Sequence, residues 1–563
     1  MDLNKRYHDL DALRAFAMLL GIALHGFCSF FPLPIWPAQD AYKPEIDLPE
    51  IFVQFFNSMG FEVASSFNPF WVGLTSVHGF RMQLFFLISG FFASMLIKKR
   101  GLQNLFRHRF KRIFLPLVIS LPIIWIAIIP VGIYGGVKKE EVRGILNEEK
   151  DLNNIFDAAR SGDLEVIKKL SDEDMSSVNH QSADGTTPLI AACTFGRNEA
   201  VSLLISLGAE LDKKNLEGST AITAAVFFGY PEIVSSLIRA GADVNVKSKD
   251  GSTPLDIALV PWEDIKPFYD MVGSIMASEG LRMDYKRIQS VRSSIADLLH
   301  DGGAVHGSTS KEEADLGILF YLLFFAPVFH HLWFLYYLLW LVLALIIFVW
   351  IYRKLPIFKR IPDVLITTPL CLVFLIPLTF WVQRLMPDEF GPVTAPGILP
   401  WPPLLIYYGI FFMFGALCYG RERFEIIFSR SWPLLFVLAL PILILGLALQ
   451  SGDGKGTNLF SLCAVTFAWS MVFGLIGLFR QFFSTESKLI RYVSDSSYWL
   501  YISHLPLMMF FQALVSPWQL SPYIKCLLIC SWTLIPLILM YRYSVRYTFV
   551  GTMLNGKRQK PSG

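Results

Sequence analysis

The chain has little net charge, +3 over 563 residues, which argues against a nucleic-acid partner. Its seven cysteines, at positions 28, 193, 371, 418, 463, 526 and 530, offer no CxxC spacing and no disulfide framework. No A-x-A cleavage site follows the first apolar run, so that run reads as a retained membrane helix. The adjacent His330 and His331 have no acidic residue or cysteine at ligand spacing, so no metal site is expected. The membrane segments show no internal repeat of the kind many transporters carry. What the chain has in plenty is apolar surface: 53% of residues are hydrophobic and 15% aromatic, the composition of a polytopic membrane protein.

Ten spans are expected, at 12–32, 78–97, 113–135, 331–352, 362–382, 401–419, 432–449, 458–479, 497–516 and 522–541, each near the ~20 residues that a bilayer needs. Segments 98–112, 353–360, 421–430 and 480–491 carry seven, four, three and three Lys/Arg, whereas the opposite loops carry one each (Lys43, Arg384, Lys455). The positive-inside rule then places both termini in the cytoplasm. The piece 317–329 is too short to cross and reads as interfacial or re-entrant, broken at Pro327.

Between the third and fourth spans a 33-residue period sets in. Asp184-Gly185-Thr186-Thr187-Pro188-Leu189 returns as Glu217-Gly218-Ser219-Thr220-Ala221-Ile222 and as Asp250-Gly251-Ser252-Thr253-Pro254-Leu255. Gly196 repeats at Gly229, and Gly208-Ala209 at Gly241-Ala242. Three landmarks sharing one period identify ankyrin repeats. An amino-terminal cap, 154–182, precedes them, and the closing helix, 295–304, is delayed by an insertion of roughly 30 residues. The expected fold is therefore all-α: a bundle of about ten transmembrane helices (1–138 and 311–563) interrupted by an ankyrin solenoid (139–310). Three crossings precede the solenoid, so parity puts it outside the cytoplasm, where a protein partner could meet it.

The chemistry begins in the first span. Arg14 and His25 are 11 residues apart, about 20° around the helix axis and roughly 16 Å along it, and Asp11 shares their face. Polar groups at such depth line a wet cavity or pack a bundle interior. His78 and Arg81 form an i,i+3 pair at the start of the second span, as substrate contacts or as an interfacial anchor. Arg107, Arg109, Lys111 and Arg112 fill the basic segment that follows, either for topology alone or to bind phosphates. His331 and Trp333 open the fourth span as candidate substrate contacts. His504, beside Pro506, reads as a helix-kink donor, and Ser89-Gly90 as a packing pair or an acyl relay.

Arg14-(ten residues)-His25, FFLISGFF and RHRFKRIFLP together resemble membrane acyltransferase family 3. YHDLDALRAF, HGFRMQLFFLISGFFA, HLWFLYYLL and VSDSSYWLYISHLPL are similar to its glucan-biosynthesis branch, associated with succinylation of periplasmic glucans. The resemblance implies that Arg14 and His25 are required for activity and that Arg109 and Arg112 form the Arg-x-x-Arg of the basic segment. It implies a multi-pass enzyme of the bacterial cytoplasmic membrane. Cytoplasmic acyl-CoA (succinyl-CoA or acetyl-CoA) would be the co-substrate and an extracytoplasmic carbohydrate the acceptor, with no permanently bound cofactor. His25 would then be the general base, with Arg14 and Asp11 orienting the donor. The ankyrin insertion departs from the family pattern, and a receptor or scaffold built on an inactive bundle is the alternative.

Overall fold

The computed structural model describes residues 7–31, 40, 44–58, 66–148, 154–182, 185–215, 218–248, 251–277, 283–306, 319–320, 323–326, 328–354, 364–368, 370–387, 389–451 and 456–556. Lys43, Asp184, Glu217, Asp250, Pro327, segment 355–360 and Lys455 lie outside the described residues. Two compact units emerge, residues 1–143 with 319–563, and residues 144–318.

The first unit opens with α1 (His8–Phe27) and a two-residue antiparallel pair, β1 (Ile46–Asp47) and β2 (Ser66–Phe67), on either side of α2 (Glu50–Ser58). Then comes α3 (Pro69–Arg109), which starts earlier than hydropathy suggested because Asn68 caps it, accepting from the Phe70 and Trp71 amides ahead of the apolar run. The basic segment 98–112, expected to lie between two spans, is helical. The chain breaks at Gly101 (φ 78°, ψ 171°), a conformation that costs a Cβ-free residue little, and resumes its helix to Arg109. A π-helical turn, Phe110–Phe114, then leads into α4 (Leu115–Glu148).

The second unit is a stack of helix pairs: α5 (Ile155–Ser161) with α6 (Leu164–Glu173), α7 (Pro188–Thr194) with α8 (Asn198–Ser206), and α9 (Ala221–Phe227) with α10 (Pro231–Ala240). In the last pair α11 (Pro254–Leu259) and α13 (Tyr285–Asp301) are separated by the inserted α12 (Trp262–Ala277). The expected cap, 154–182, is thus a full helix pair, and α13 begins ten residues before the predicted 295. Thr187 caps α7, and Thr253 forms a reciprocal capping box with Asp256 on α11. The stacking itself repeats at 33 residues: Gln181 Nε2 donates to the Lys214 carbonyl (2.9 Å) and Lys214 Nζ to the Lys247 carbonyl (3.0 Å). The insert is pinned through fully buried Tyr269, whose hydroxyl donates to the Phe227 carbonyl at 2.8 Å. Arg292 closes α11 by donating to the Ile257 carbonyl at 2.7 Å, a cation at a helix C-terminus.

The chain returns to the first unit with α14 (Trp333–Lys354), α15 (Val364–Thr367), α16 (Cys371–Gln383), α17 (Pro402–Cys418), α18 (Glu422–Ser451), α19 (Asn458–Phe482), α20 (Lys488–Val515), α21 (Pro522–Met540) and α22 (Phe549–Asn555). Seven stretches among the described residues are long and apolar enough to cross a bilayer: His8–Phe27, Pro69–Gly135, His330–Ile351, Arg430–Gln450, Asn458–Phe482, Lys488–Val515 and Pro522–Val545. The 67 residues of Pro69–Gly135, broken at Gly101, have length for two passes, and α16 and α17 are shorter apolar helices. The short piece at 319–329 leans on the segment before α17: the Phe324 carbonyl accepts from Gly397 and the Leu323 carbonyl from Leu399.

Lipid offers no hydrophobic drive between helices, so close packing must hold them together. Gly90 on α3 meets the α17 backbone so closely that a Cβ would lie 1.8 Å from the Phe412 carbonyl oxygen, and Gly415 on α17 meets Leu87 in the same way. Trp469 of α19 fills the centre, stacked on Phe411 at 4.0 Å with its indole N–H donating to Thr379 at 3.1 Å.

Candidate active site

Arg14 and His25 do lie on one face of α1, and α20 runs beside it in the same direction, joined at both ends. Arg14 Nη2 donates to Ser494 Oγ at 2.9 Å; three turns on, His25 Nδ1 meets His504 Nε2 at 2.8 Å. His504 Nδ1 donates to the Tyr501 carbonyl (2.8 Å) and shares the Leu500 carbonyl (3.0 Å), so its Nε2 must be the acceptor. His25 therefore carries its proton on Nδ1, which makes Nε2 the basic nitrogen of its ring.

A third imidazole completes the group. Pro506 has no N–H, so the Ile502 carbonyl of α20 loses its helical donor. His331 Nε2 donates there (3.2 Å) and to Tyr501 O (3.1 Å), and the Tyr501 hydroxyl donates back to the His331 carbonyl (2.5 Å). Just before it His330, at φ 43°, takes a left-handed conformation that non-glycine residues rarely adopt. The His331 and His504 centroids are 5.0 Å apart, and those of His331 and His25 6.3 Å. Gln512 donates to the His25 carbonyl at 2.8 Å, fixing the last turn of α1. Beyond it Lys525, fully buried, bridges both oxygens of Asp40 at 2.9 Å and ties the segment after α1 to α21.

At the other end Asp11 holds Arg14 at 3.3 Å, as the shared face required. Arg109 is half-buried and interacts electrostatically with Arg14, Arg112 and Tyr498; the Tyr498 hydroxyl donates to the Arg112 carbonyl at 2.7 Å. Of the basic side chains named from sequence, Arg109 and Arg112 turn inward, while Arg107 and Lys111 are exposed. Helical spacing fits the selection, because residues 109 and 112 are three apart on one face and 107 and 111 four apart on another. Asp9, buried, pairs with Arg480 at 2.8 Å and closes the same end.

The remaining candidates separate. Arg81 is buried with Nη1 against Gly21, one helical turn before His25. His78 Nε2 donates to the Pro392 carbonyl at 2.8 Å and so holds the segment between α16 and α17. Trp333 is buried against Tyr337 and Tyr408, with centroids 5.6 and 5.7 Å away. Gly90 packs two helices, as the Ser-Gly pair suggested. The residue sequence reasoning undervalued is His504; a histidine two residues before a proline on a polar-rich span was the available signal.

An acyltransferase family, described as "Acyltransferase domain", matches residues 7–140 and 293–542, more than half of the chain. Ankyrin repeats, in three copies, match residues 155–248. The chain is similar to Glucans biosynthesis protein C of Escherichia coli (strain SMS-3-5 / SECEC), 29% identical over 120 residues, 21% of this chain and 25% of that protein. It is also similar to Ankyrin repeat and SAM domain-containing protein 6 of Mus musculus, 38% identical over 74 residues, 13% of this chain and 8% of that protein. The chain thus spans a quarter or less of the length of these curated relatives.

Proposed function

The chain belongs to the acyltransferase family that matches its membrane unit, and on that premise we propose that it moves an acyl group from acyl-CoA in the cytoplasm to a hydroxyl of an extracytoplasmic glycan. The observation that carries this reading is the His25–His504 hydrogen bond, with Arg14 roughly 16 Å further down the same helix face. One end of α1 offers a base, the other a guanidinium cluster suited to phosphate.

In the proposed reaction the nucleotide end of the donor sits at Arg14, Arg109 and Arg112, and the thioester reaches up the bundle toward His25. His25 Nε2 removes the proton of the incoming hydroxyl, the hydroxyl oxygen attacks the acyl carbon, and the imidazolium returns the proton to the departing CoA thiolate. His504 and His331 hold the imidazole, and Asp11 holds the Arg14 fork. The similarity to Glucans biosynthesis protein C supports a glucan as acceptor; the proposed donor is succinyl-CoA, with acetyl-CoA as the smaller choice. The bonded pairs set the helix directions: α1 and α20 run parallel (14 with 494, 25 with 504), and α3 runs against α1 (Gly21 with Arg81, Tyr7 with Phe91). Both relations fit the proposed ten spans; cytoplasmic termini in the bacterial inner membrane are proposed from the Lys/Arg bias. By the same parity the ankyrin stack stands outside, available to a glycan-handling protein partner.

The test is His25→Ala in the full chain, scored by acyl groups on envelope glycans. Transfer should fall by about 10²–10⁴-fold, the usual contribution of a general base, while the protein still inserts. Unchanged glycan acylation by a well-inserted variant would overturn the reading.

A further inference from the structure

Buried polar atoms are nearly always hydrogen-bonded, so a cluster of exceptions asks for an explanation. Among the described residues they include Arg81 Nε and His331 Nδ1, both on side chains beside the last turns of α1, and the hydroxyl of Tyr408, a neighbour of Arg81. Arg81 is 8% exposed and Tyr408 is 0% exposed. No carboxylate among the described residues pairs with Arg81; its charge interacts instead with the Tyr408 and Tyr501 hydroxyls. An unpaired guanidinium inside a membrane bundle is costly by desolvation. It lies against Gly21, where a Cβ would be 2.1 Å from its Nη1, so it occupies the face of α1 one turn from the His25 ring.

Resting on the acyl-transfer reading, we propose that Arg81 and Tyr408 are catalytic donors to the oxygen of the acyl carbonyl, whose negative charge develops only during attack. As the hydroxyl oxygen bonds to the thioester carbon, the carbonyl π pair moves onto oxygen and the hydroxyl proton goes to His25 Nε2. Arg81 and the Tyr408 O–H hold that oxyanion. Its collapse re-forms the carbonyl and expels the CoA thiolate, which takes the proton from His25, leaving ester and free CoA. Arg81 Nε and the Tyr408 hydroxyl have no hydrogen-bond partner among the described residues because the partner proposed for them exists only in the transition state. A site fixed and dry in advance is where such donors act most strongly. His331, anchored on α20 through Nε2, keeps its ring 6.3 Å from that of His25.

The experiment compares full-length wild type, Arg81→Gln, Arg81→Lys and Tyr408→Phe in detergent micelles. Thiol release is followed from succinyl-CoA and from acetyl-CoA, with a gluco-oligosaccharide as acceptor. Loss of an oxyanion donor lowers kcat by about 10²–10³-fold. Arg81→Gln should do so on both donors with KM nearly unchanged, Arg81→Lys should recover part of the rate, and Tyr408→Phe should lose kcat on both donors. Tyr408→Phe removes one oxygen atom, so it keeps the test valid if Arg81→Gln fails to fold. Wild-type kcat in Tyr408→Phe and Arg81→Lys overturns the proposal. So does an Arg81→Gln effect confined to the KM of succinyl-CoA, which would make Arg81 a receptor for the donor's own carboxylate. Thiol release that persists in His25→Ala, or is absent from wild type, instead sinks the acyl-transfer reading on which this one rests.

Discussion

Pro506 and His504, two residues apart on α20, each hold a different imidazole. The proline removes a backbone donor from α20, His331 fills the vacancy, and His504, anchored on the same turn, fixes the proton of His25 on Nδ1. In the proposed mechanism His504 therefore acts as a positioning residue for the base. His504→Ala should lower kcat by roughly 10²-fold with little change in KM, since the base loses its tautomer and orientation while the donor site is intact. His504→Gln should recover part of the rate, because its amide oxygen can accept from His25 Nδ1. Equal defects in both variants, or a defect in KM alone, would mean that His504 only packs.

At the scale of elements, the junction of α3 and α4 does what a loop would not. A break at Gly101 and a π turn at Phe110–Phe114 hold Arg109 and Arg112 at the end of α1 that carries Arg14, while Arg107 and Lys111 face away. Changing Arg109 and Arg112 together to Gln should raise the donor KM by tenfold or more, from charge-assisted bonds worth about 1.5–3 kcal/mol each, and leave acceptor dependence alone. Changing the exposed Arg107 and Lys111 to Gln should leave donor KM near wild type. If the second pair matters as much as the first, the segment serves topology and net charge only.

At the scale of the whole chain, two units with different physics share one sequence. The ankyrin stack buries its own core of alanine and branched aliphatic residues and needs no lipid to do so. Every native cysteine except half-buried Cys530 is buried, so a cysteine engineered into the stack can be read against a quiet background. Ser202 is exposed on α8. Ser202→Cys should react with a membrane-impermeant thiol reagent in intact spheroplasts; reaction only after lysis would place the stack in the cytoplasm and contradict ten spans.

Much of this was settled by the sequence itself. The 33-residue period names a repeat because each helix pair recurs with its own cap and glycine turn, and these are local features. Hydropathy marks membrane helices, and 100° per residue puts Asp11, Arg14 and His25 on one face whatever surrounds them. The start of α3 at Pro69 and the helical state of the basic segment were not foreseen because an Asn68 cap and a π turn outweigh the polarity of the residues they organise. The meeting of His25 with His504, 479 residues away, belongs to the tertiary structure alone. So does the convergence of Arg81 and Tyr408, since periodicity says which face a residue occupies but not which helix packs against that face. That choice was made by close backbone approach at Gly90 and Gly415 and by a carbonyl left open by Pro506, contacts that exist only once the bundle has closed.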